Sequence, residues 1–179
     1  MDTRDLADYV RTVSDFPRPG VQFKDITTLL KNPVAFREAI DRLTQPFEDR
    51  NVDVVVGMES RGFILAAPLA YNLGAGFVPV RKLGRLPAPS VRVSYDLEYG
   101  HNTLELHQDA IEPGQRVLVV DDLLATGGTV LATMKLVEQL GGTVIGLAFL
   151  IELLYLNGRQ NLVDPPPIVS LIQYDGTGR

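Results

Sequence analysis

Residues 117 to 129 read VLVVDDLLATGGT, and no other stretch limits the possible folds so tightly. Val117 to Val120 are consecutive apolar residues, mostly β-branched. Such a run suits a strand buried on both faces of a parallel sheet; a half-wet strand would alternate apolar with polar. Asp121 and Asp122 follow, where this strand is expected to end. Ala125, Thr126, Gly127, Gly128 and Thr129 come next, directly before Val130, Met134 and Val137 at helical spacing, with Thr129 as the expected cap. Strand, acidic step, Gly/Thr turn and helix in that order is the grammar of an open α/β sheet, where ligands lie at the carboxyl ends of strands.

The chemistry of this order is a phosphate cradle beside a polyol clamp. Glycines let the backbone turn tightly and expose its N–H groups, threonines add hydroxyl donors, and the new helix turns its positive end toward an incoming anion. An ionised carboxylate accepts two hydroxyl hydrogen bonds, as the 2′,3′-diol of a ribose offers. Together they suggest a ribose 5-phosphate. Successive strand residues point to opposite faces, so both acids reach one ligand only if the strand has already ended, and a bound cation would ease their repulsion.

The 179 residues suit one domain with a substantial core and carry neither an internal repeat nor a low-complexity tail. A formal net charge of −5, from 17 basic and 22 acidic residues, argues against a general nucleic-acid grip. With no cysteine, disulfides and thiolate metal sites are excluded. The start, MDTRDLADYV, lacks an apolar signal core, and the most apolar stretch, 147 to 156, is too short to span a bilayer and contains Glu152. A cytoplasmic protein with no membrane partner is expected.

Taken in order, Leu6, Tyr9, Val10 and Val13 predict an amphipathic helix over 3–14. FPRPGVQFKDIT then predicts an ordered loop, and Asn32 with Pro33 begins a helix whose stripe is Phe36, Ala39, Ile40, Leu43 and Phe47. Val52 to Val56 reads as a buried parallel strand running into Gly57-Met58-Glu59-Ser60-Arg61-Gly62 and another helix. That loop should share a sheet end with the first, and Arg61 with nearby N–H groups could hold a second anion; for this loop alone a surface Arg paired with a Glu is the better explanation, and the companion motif reverses that. Pro68 falls inside the helix. Gly74-Ala75-Gly76 follows a helix and precedes a strand, so it is not a dinucleotide fingerprint. Phe77 to Val80 form a strand ending in Arg81 and Lys82; Lys82 reads as an anion ligand or a solvated cation.

Residues 83 to 108 break the alternation. Val91, Val93, Tyr95, Leu97 and Tyr99, then Leu104 and Leu106, predict two antiparallel strands with a turn near residues 99–102. Such a flap can close over a site and exclude water. His101 and His107 lack a metal-ligand spacing and read as surface residues. Val144 to Leu150 and Ile168 to Ile172 complete the strands.

DDLLATGGT resembles the phosphoribosyl diphosphate (PRPP) motif of the type I phosphoribosyltransferases, in the wording of the branch that uses adenine. FPRPGVQFKDIT, ESRGF, VRKLGRLP, SYDLEYG and SLIQYDG carry the likeness along nearly the whole chain, in order. It implies one α/β domain over 1–179: a central, mostly parallel sheet flanked by helices, a small N-terminal hood with its helix (1–32) and a flexible antiparallel flap (83–108). It implies Mg²⁺-assisted transfer of phosphoribosyl from PRPP to adenine, giving AMP and pyrophosphate, by a homodimer. The 5-phosphate falls to Ala125, Thr126, Gly127, Gly128 and Thr129, and pyrophosphate to Ser60, Arg61, Lys82 and Arg85. Adenine falls to Val21, Gln22, Phe23, Lys24 and Leu123; Lys24 stands where many members have Arg, which removes a planar guanidinium. Without the likeness Phe23 reads as a core aromatic.

Asp121, Asp122, Glu98 and Tyr99 are the implied catalytic residues, Glu98 otherwise being a solvated turn residue. No protein cage for the metal is implied, since Mg²⁺ would ride on substrate oxygens and waters. Late residues, Glu152, Leu153, Gly158 and Arg159, look like the family's base-side wall. Rival readings are the same fold with another purine, a PRPP sensor controlling RNA or DNA, and a purely structural dimer.

Overall fold

The computed structural model describes residues 5–97 and 100–177. Its chain divides into two compact units, Met1–Arg42 and Leu43–Arg179.

The first unit corrects two expectations. In place of a helix over 3–14 there is a single 3-10 turn, Leu6–Tyr9, capped by Asp5, whose Oδ1 accepts the Ala7 N–H at 3.3 Å. The chain then extends as β1 (Arg11–Ser14) and pairs antiparallel with β2 (Gln22–Asp25), inside the segment expected to be irregular throughout. Cross-strand side chains explain the outcome: Arg11 Nη2 lies 2.5 Å from Asp25 Oδ2, and Lys24 Nζ donates to Thr12 Oγ1 at 3.0 Å. Such pairs stabilise a ribbon regardless of the helical spacing of its apolar residues. The Arg11 guanidinium beside Asp25, helped by the Thr27 hydroxyl and N–H, lowers that carboxyl to about 2. A short helix α1 (Thr27–Leu30) leads to α2 (Pro33–Thr44), which starts as expected: Asn32 Oδ1 accepts the N–H groups of Val34 and Ala35, both at 3.0 Å. Its last two residues, Leu43 and Thr44, belong to the second unit.

The second unit is built on β3 (Val54–Met58), α3 (Arg61–Leu73), β4 (Gly76–Lys82), β5 (Ser90–Leu97), β6 (Gly100–His107), β7 (Arg116–Leu124), α4 (Gly128–Gln139), β8 (Thr143–Leu153) and β9 (Ile168–Tyr174). One seven-stranded sheet runs β5-β6-β4-β3-β7-β8-β9, with β4, β3, β7, β8 and β9 parallel. Alternation sorts its two faces: Val54, Val56, Met58, Val117 and Val119 join a core with Val130, Met134 and Val137 of α4, while at Gly57 a Cβ would stand 2.8 Å from Ala66 Cβ of α3. Helices therefore cover both faces, and Val117 to Val120 have no exposed surface. Each such side chain contributes about 1.5–3 kcal/mol of burial, so this strand is held at full length.

The antiparallel pair β5 and β6 is continuous with the sheet through Arg81↔Glu105 and Lys82↔Leu104. Its pairing persists to Leu97↔Gly100, so Asn102, expected in the turn, lies within the ladder opposite Tyr95. His107 also differs from expectation: it is half-buried, and its Nε2 is enclosed with no hydrogen-bond partner among the described residues.

Candidate active site

Three carboxyl-terminal strand ends meet at this site: those of β3, β4 and β7. The strand expected to stop at Val120 instead carries both acids and runs to Leu124. Asp121↔Phe149 and Leu124↔Glu152 remain paired with β8, because the neighbouring strand extends to Leu153 and offers ladder partners beyond the acids. Alternation nevertheless does not separate the carboxylates. Arg61, the first residue of α3, reaches across so that its Nε lies 2.8 Å from Asp122 Oδ2. Asp121 Oδ1 accepts the Asp122 N–H at 2.9 Å and lies beside Gly62, where a Cβ would stand 2.7 Å from that oxygen. Both acids thus meet the first turn of one helix, and only glycine fits at position 62.

Burial raises the proton affinity of both carboxyls. Asp121 is pushed well above the usual range, first by desolvation and then by the Asp122 charge. Asp122, 6% exposed, is raised by the same desolvation, which Arg61 opposes. Adjacent acids, Asp122 buried and Asp121 half-buried, with a cation on one side can stabilise positive charge and take part in proton movement.

After Leu124 the chain turns through Ala125, Thr126 and Gly127, the last at φ +86°, and α4 begins at Gly128. Gly127 is the N-terminal boundary residue, not Thr129, because the left-handed turn demanded there is one that glycine adopts without strain. Thr129 lies in the first helical turn, and its hydroxyl shares a 3.1 Å hydrogen bond with Tyr95 OH of β5. The loop rests on the segment that follows β8. Asn161 Nδ2 donates to the Thr126 carbonyl at 2.8 Å, and a Cβ at Gly127 would stand 2.8 Å from the Gly158 carbonyl. The motifs do not point to Tyr95 or Asn161, while Gly158, expected in the base-side wall, abuts this loop. Tyr95 was legible as an inward position of an alternating strand, whereas Asn161 carried no local signal.

The loop between β3 and α3 contains a cis Glu59–Ser60 peptide and places the Ser60 carbonyl 3.3 Å from the Phe63 N–H. Glu59 holds the end of β4: its carboxylate receives Arg81 Nε at 3.1 Å, Arg81 Nη2 at 3.3 Å and the Lys82 N–H at 2.9 Å. Arg81 also lies over the Phe63 ring, 5.9 Å from its centroid, so this cation is already engaged. Hydrogen bonds from Arg81, working against burial, keep the Glu59 carboxyl below its ordinary value. Lys82 and Arg85 have exposed side chains, and Ser60 is exposed as well. Leu123 is half-buried on β7 opposite Ile151.

Residues assigned to adenine in the first unit have partners within that unit. Phe23 meets Phe16 edge to face at 5.1 Å, Ser14 Oγ donates to Gln22 Oε1 at 3.2 Å, and the Val21 N–H donates to the Arg18 carbonyl at 3.3 Å. Burial lowers the Lys24 ammonium from its usual value. Glu98 and Tyr99 lie outside the described residues.

Residues 25–166 match the model of the phosphoribosyl transferase domain. An adenine phosphoribosyltransferase of Chloroflexus aurantiacus is 58% identical over 174 residues, covering 97% of this chain and all of the relative. The chain belongs to the adenine phosphoribosyltransferase family. Its structure agrees: the crystal structure of the Rhodothermus marinus adenine phosphoribosyltransferase superposes with a TM-score of 0.91 at 55% identity, covering 94% of this chain and 96% of the other. The Saccharomyces cerevisiae enzyme, complexed with D-2,5-dideoxy-2,5-imino-altritol 1,6-bisphosphate and adenine, has a TM-score of 0.87 at 39% identity, covering 93% and 96% of the two chains. The α/β class, the mostly parallel sheet and the family inferred from DDLLATGGT are all borne out.

Proposed function

We propose that this chain transfers the phosphoribosyl group of PRPP to adenine, yielding AMP and pyrophosphate in purine salvage. Adenine N9 bonds to C1 of the ribose as the bond from C1 to the pyrophosphate oxygen breaks, and the N9 proton is given up. The observation that carries this reading is the meeting of Asp121, Asp122 and Arg61 beside the 125–129 turn, in a chain 58% identical to an adenine phosphoribosyltransferase.

Each group has a role suited to its chemistry. Breaking the glycosidic bond leaves positive character on the sugar, and carboxylates held close by lower the energy of that state. Asp121 and Asp122 supply that field and accept hydrogen bonds from the ribose hydroxyls. N–H groups at the start of α4, with Thr126 and Thr129, take the 5-phosphate. Ser60, Arg61, Lys82 and Arg85 take the pyrophosphate, whose departure Arg61 assists by a two-pronged contact. Val21, Gln22, Phe23, Lys24 and Leu123 are assigned to adenine, and Glu98 and Tyr99 to the reactive tip of the flap, on the family likeness. The whole chain, 1–179, acts as one catalytic domain in this reading.

Among the described residues no group of three or more acids or histidines is arranged to hold a metal ion. The donor set fits a Mg²⁺ ion carried on substrate oxygens and waters, since such an ion needs only one or two carboxylates and Asp121 and Asp122 are adjacent. When bound, it would neutralise charge on the leaving pyrophosphate. No helix among the described residues is long and apolar enough to cross a membrane, and the protein is proposed to work in the cytoplasm. Ile64 and Tyr71 on α3 and Phe77 on β4, exposed at 43%, 87% and 38%, support a homodimer with that apolar surface covered.

Pyrophosphate release measured with adenine, hypoxanthine, guanine and xanthine in turn, with and without Mg²⁺, tests the proposal. Release with adenine alone, requiring Mg²⁺, is expected; preference for another purine overturns the base assignment.

A further inference from the structure

The segment after β8 does more than close the fold. Glu152, 3% exposed near the end of β8, receives Arg159 Nε at 2.6 Å on one oxygen and Arg159 Nη2 at 2.7 Å on the other. Ser170 Oγ, 2.5 Å away, and Gln173 Nε2, 3.2 Å away, donate to the second oxygen from β9, and Arg159 Nη2 also donates to Ser170 Oγ at 2.9 Å. A buried carboxylate so fully engaged has one arrangement open to it. Burial alone would raise its proton affinity, but these partners outweigh that and keep it ionised.

Arg159 belongs to the 3-10 turn Gly158–Asn161, so fixing the guanidinium fixes the turn. Both ends of that turn bear on the 125–129 loop. At one end Gly158 is buried so closely that a Cβ there would stand 2.3 Å from the Ala125 carbonyl, and its own carbonyl abuts Gly127. At the other, the Asn161 amide grips the Thr126 carbonyl. Leu162, 5% exposed, anchors the exit of the turn in the core.

We propose that Glu152 and Arg159 are positioning residues for the 125–129 loop, acting through Gly158 and Asn161. The Thr126 carbonyl is held from behind by Asn161 and that of Ala125 packs against Gly158, so the loop is ordered before any ligand arrives. A cradle ordered in advance spends no binding energy on ordering itself. The catalytic consequence rests on the reading of this loop as the 5-phosphate holder; the mechanical one does not.

Two measurements on the full-length protein separate these. Amide hydrogen exchange at Leu131, whose N–H donates to the Gly127 carbonyl at 2.9 Å, should run about tenfold faster without ligand in Asn161→Ala, one lost hydrogen bond, with an unchanged melting temperature. Arg159→Met should act in the same direction and Arg159→Lys should recover part of the protection. Ribose 5-phosphate affinity by calorimetry should fall about tenfold in Asn161→Ala, and KM for PRPP should rise while KM for adenine holds. Unchanged exchange in Asn161→Ala, or an adenine KM that rises as much as that for PRPP, overturns the proposal. Faster exchange in the variants of a wild type that binds no ribose 5-phosphate supports the clamp and removes only the phosphate reading.

Discussion

The two groups of residues assigned to anions are held in opposite ways. Around 125–129 the main chain itself is pinned, the Thr126 carbonyl by Asn161 and Gly127 against Gly158, and the Thr129 hydroxyl is bonded to that of Tyr95. At the other group the main chain is fixed but the charges are not. Glu59 ties down the Lys82 N–H and the Lys82 carbonyl accepts the Arg85 N–H at 3.2 Å, yet the Lys82 and Arg85 side chains are exposed. Arg61 is held by Asp122, a partner that the pyrophosphate group of the proposed reaction would have to displace. A fixed cradle suits a phosphate that stays with the sugar from substrate to product. Long cationic side chains that exchange partners suit a group that has to leave.

The largest expected effect tests what lies between the two groups. Replacing both acids, Asp121→Asn with Asp122→Asn, should lower pyrophosphate release about 10³-fold while circular dichroism shows the fold retained. Near-normal turnover would remove the acids from the chemistry. Next, Arg61→Met should reduce kcat/KM by about 10²-fold, the scale of a lost charged contact to a developing anion, and leave Asp122 with an unopposed burial penalty. If KM for adenine moves instead, the leaving-group assignment is wrong. Gly158→Ala forces a methyl against the Ala125 carbonyl and should destabilise the protein by about 1–3 kcal/mol in a denaturant melt, with KM for PRPP rising.

Smaller effects sharpen the contrast further. Lys82→Ala should weaken pyrophosphate binding only a few-fold, and the loss should shrink in high salt, as befits an exposed charge. A salt-independent loss would place Lys82 in an enclosed contact. The last prediction concerns stability. Asp121 binds its proton more tightly folded than unfolded, so its contribution is favourable at low pH and is lost as pH rises through the raised folded value. Asp121→Asn removes a carboxyl whose ionisation burial opposes, and the melting temperature at neutral pH should rise. A fall would mean that Arg61 and the N–H of Asp122 outweigh burial.

How far each element was readable depended on where its determinants lie. The buried strands β3, β7, β8 and β9 and the Asn32 start of α2 rest on residues adjacent in the chain, and local composition was enough; the cap of α4, read as Thr129, is Gly127. The N-terminal stretch was misread because Leu6, Tyr9, Val10 and Val13 have helical spacing while β1 and β2 are held by Arg11 with Asp25 and Thr12 with Lys24. Only the pairing makes those residues neighbours. The strand end at Val120 was misplaced for a similar reason, since β8 continues beside it to Leu153 and keeps the acids in the ladder.

From the sequence alone came the chemical inventory: two acids, a Gly/Thr turn opening a helix, an Arg after the first strand, and the order that sets them at one edge of a parallel sheet. These follow from short-range propensity and from the rule that parallel crossovers bring successive loops to the same end. Only the tertiary structure decided which atoms meet. Arg61 turned to Asp122, Tyr95 came to Thr129, and Asn161 reached Thr126 across 35 positions. Hydrogen bonds act over about 3 Å and are indifferent to distance along the chain, so no local pattern encodes them.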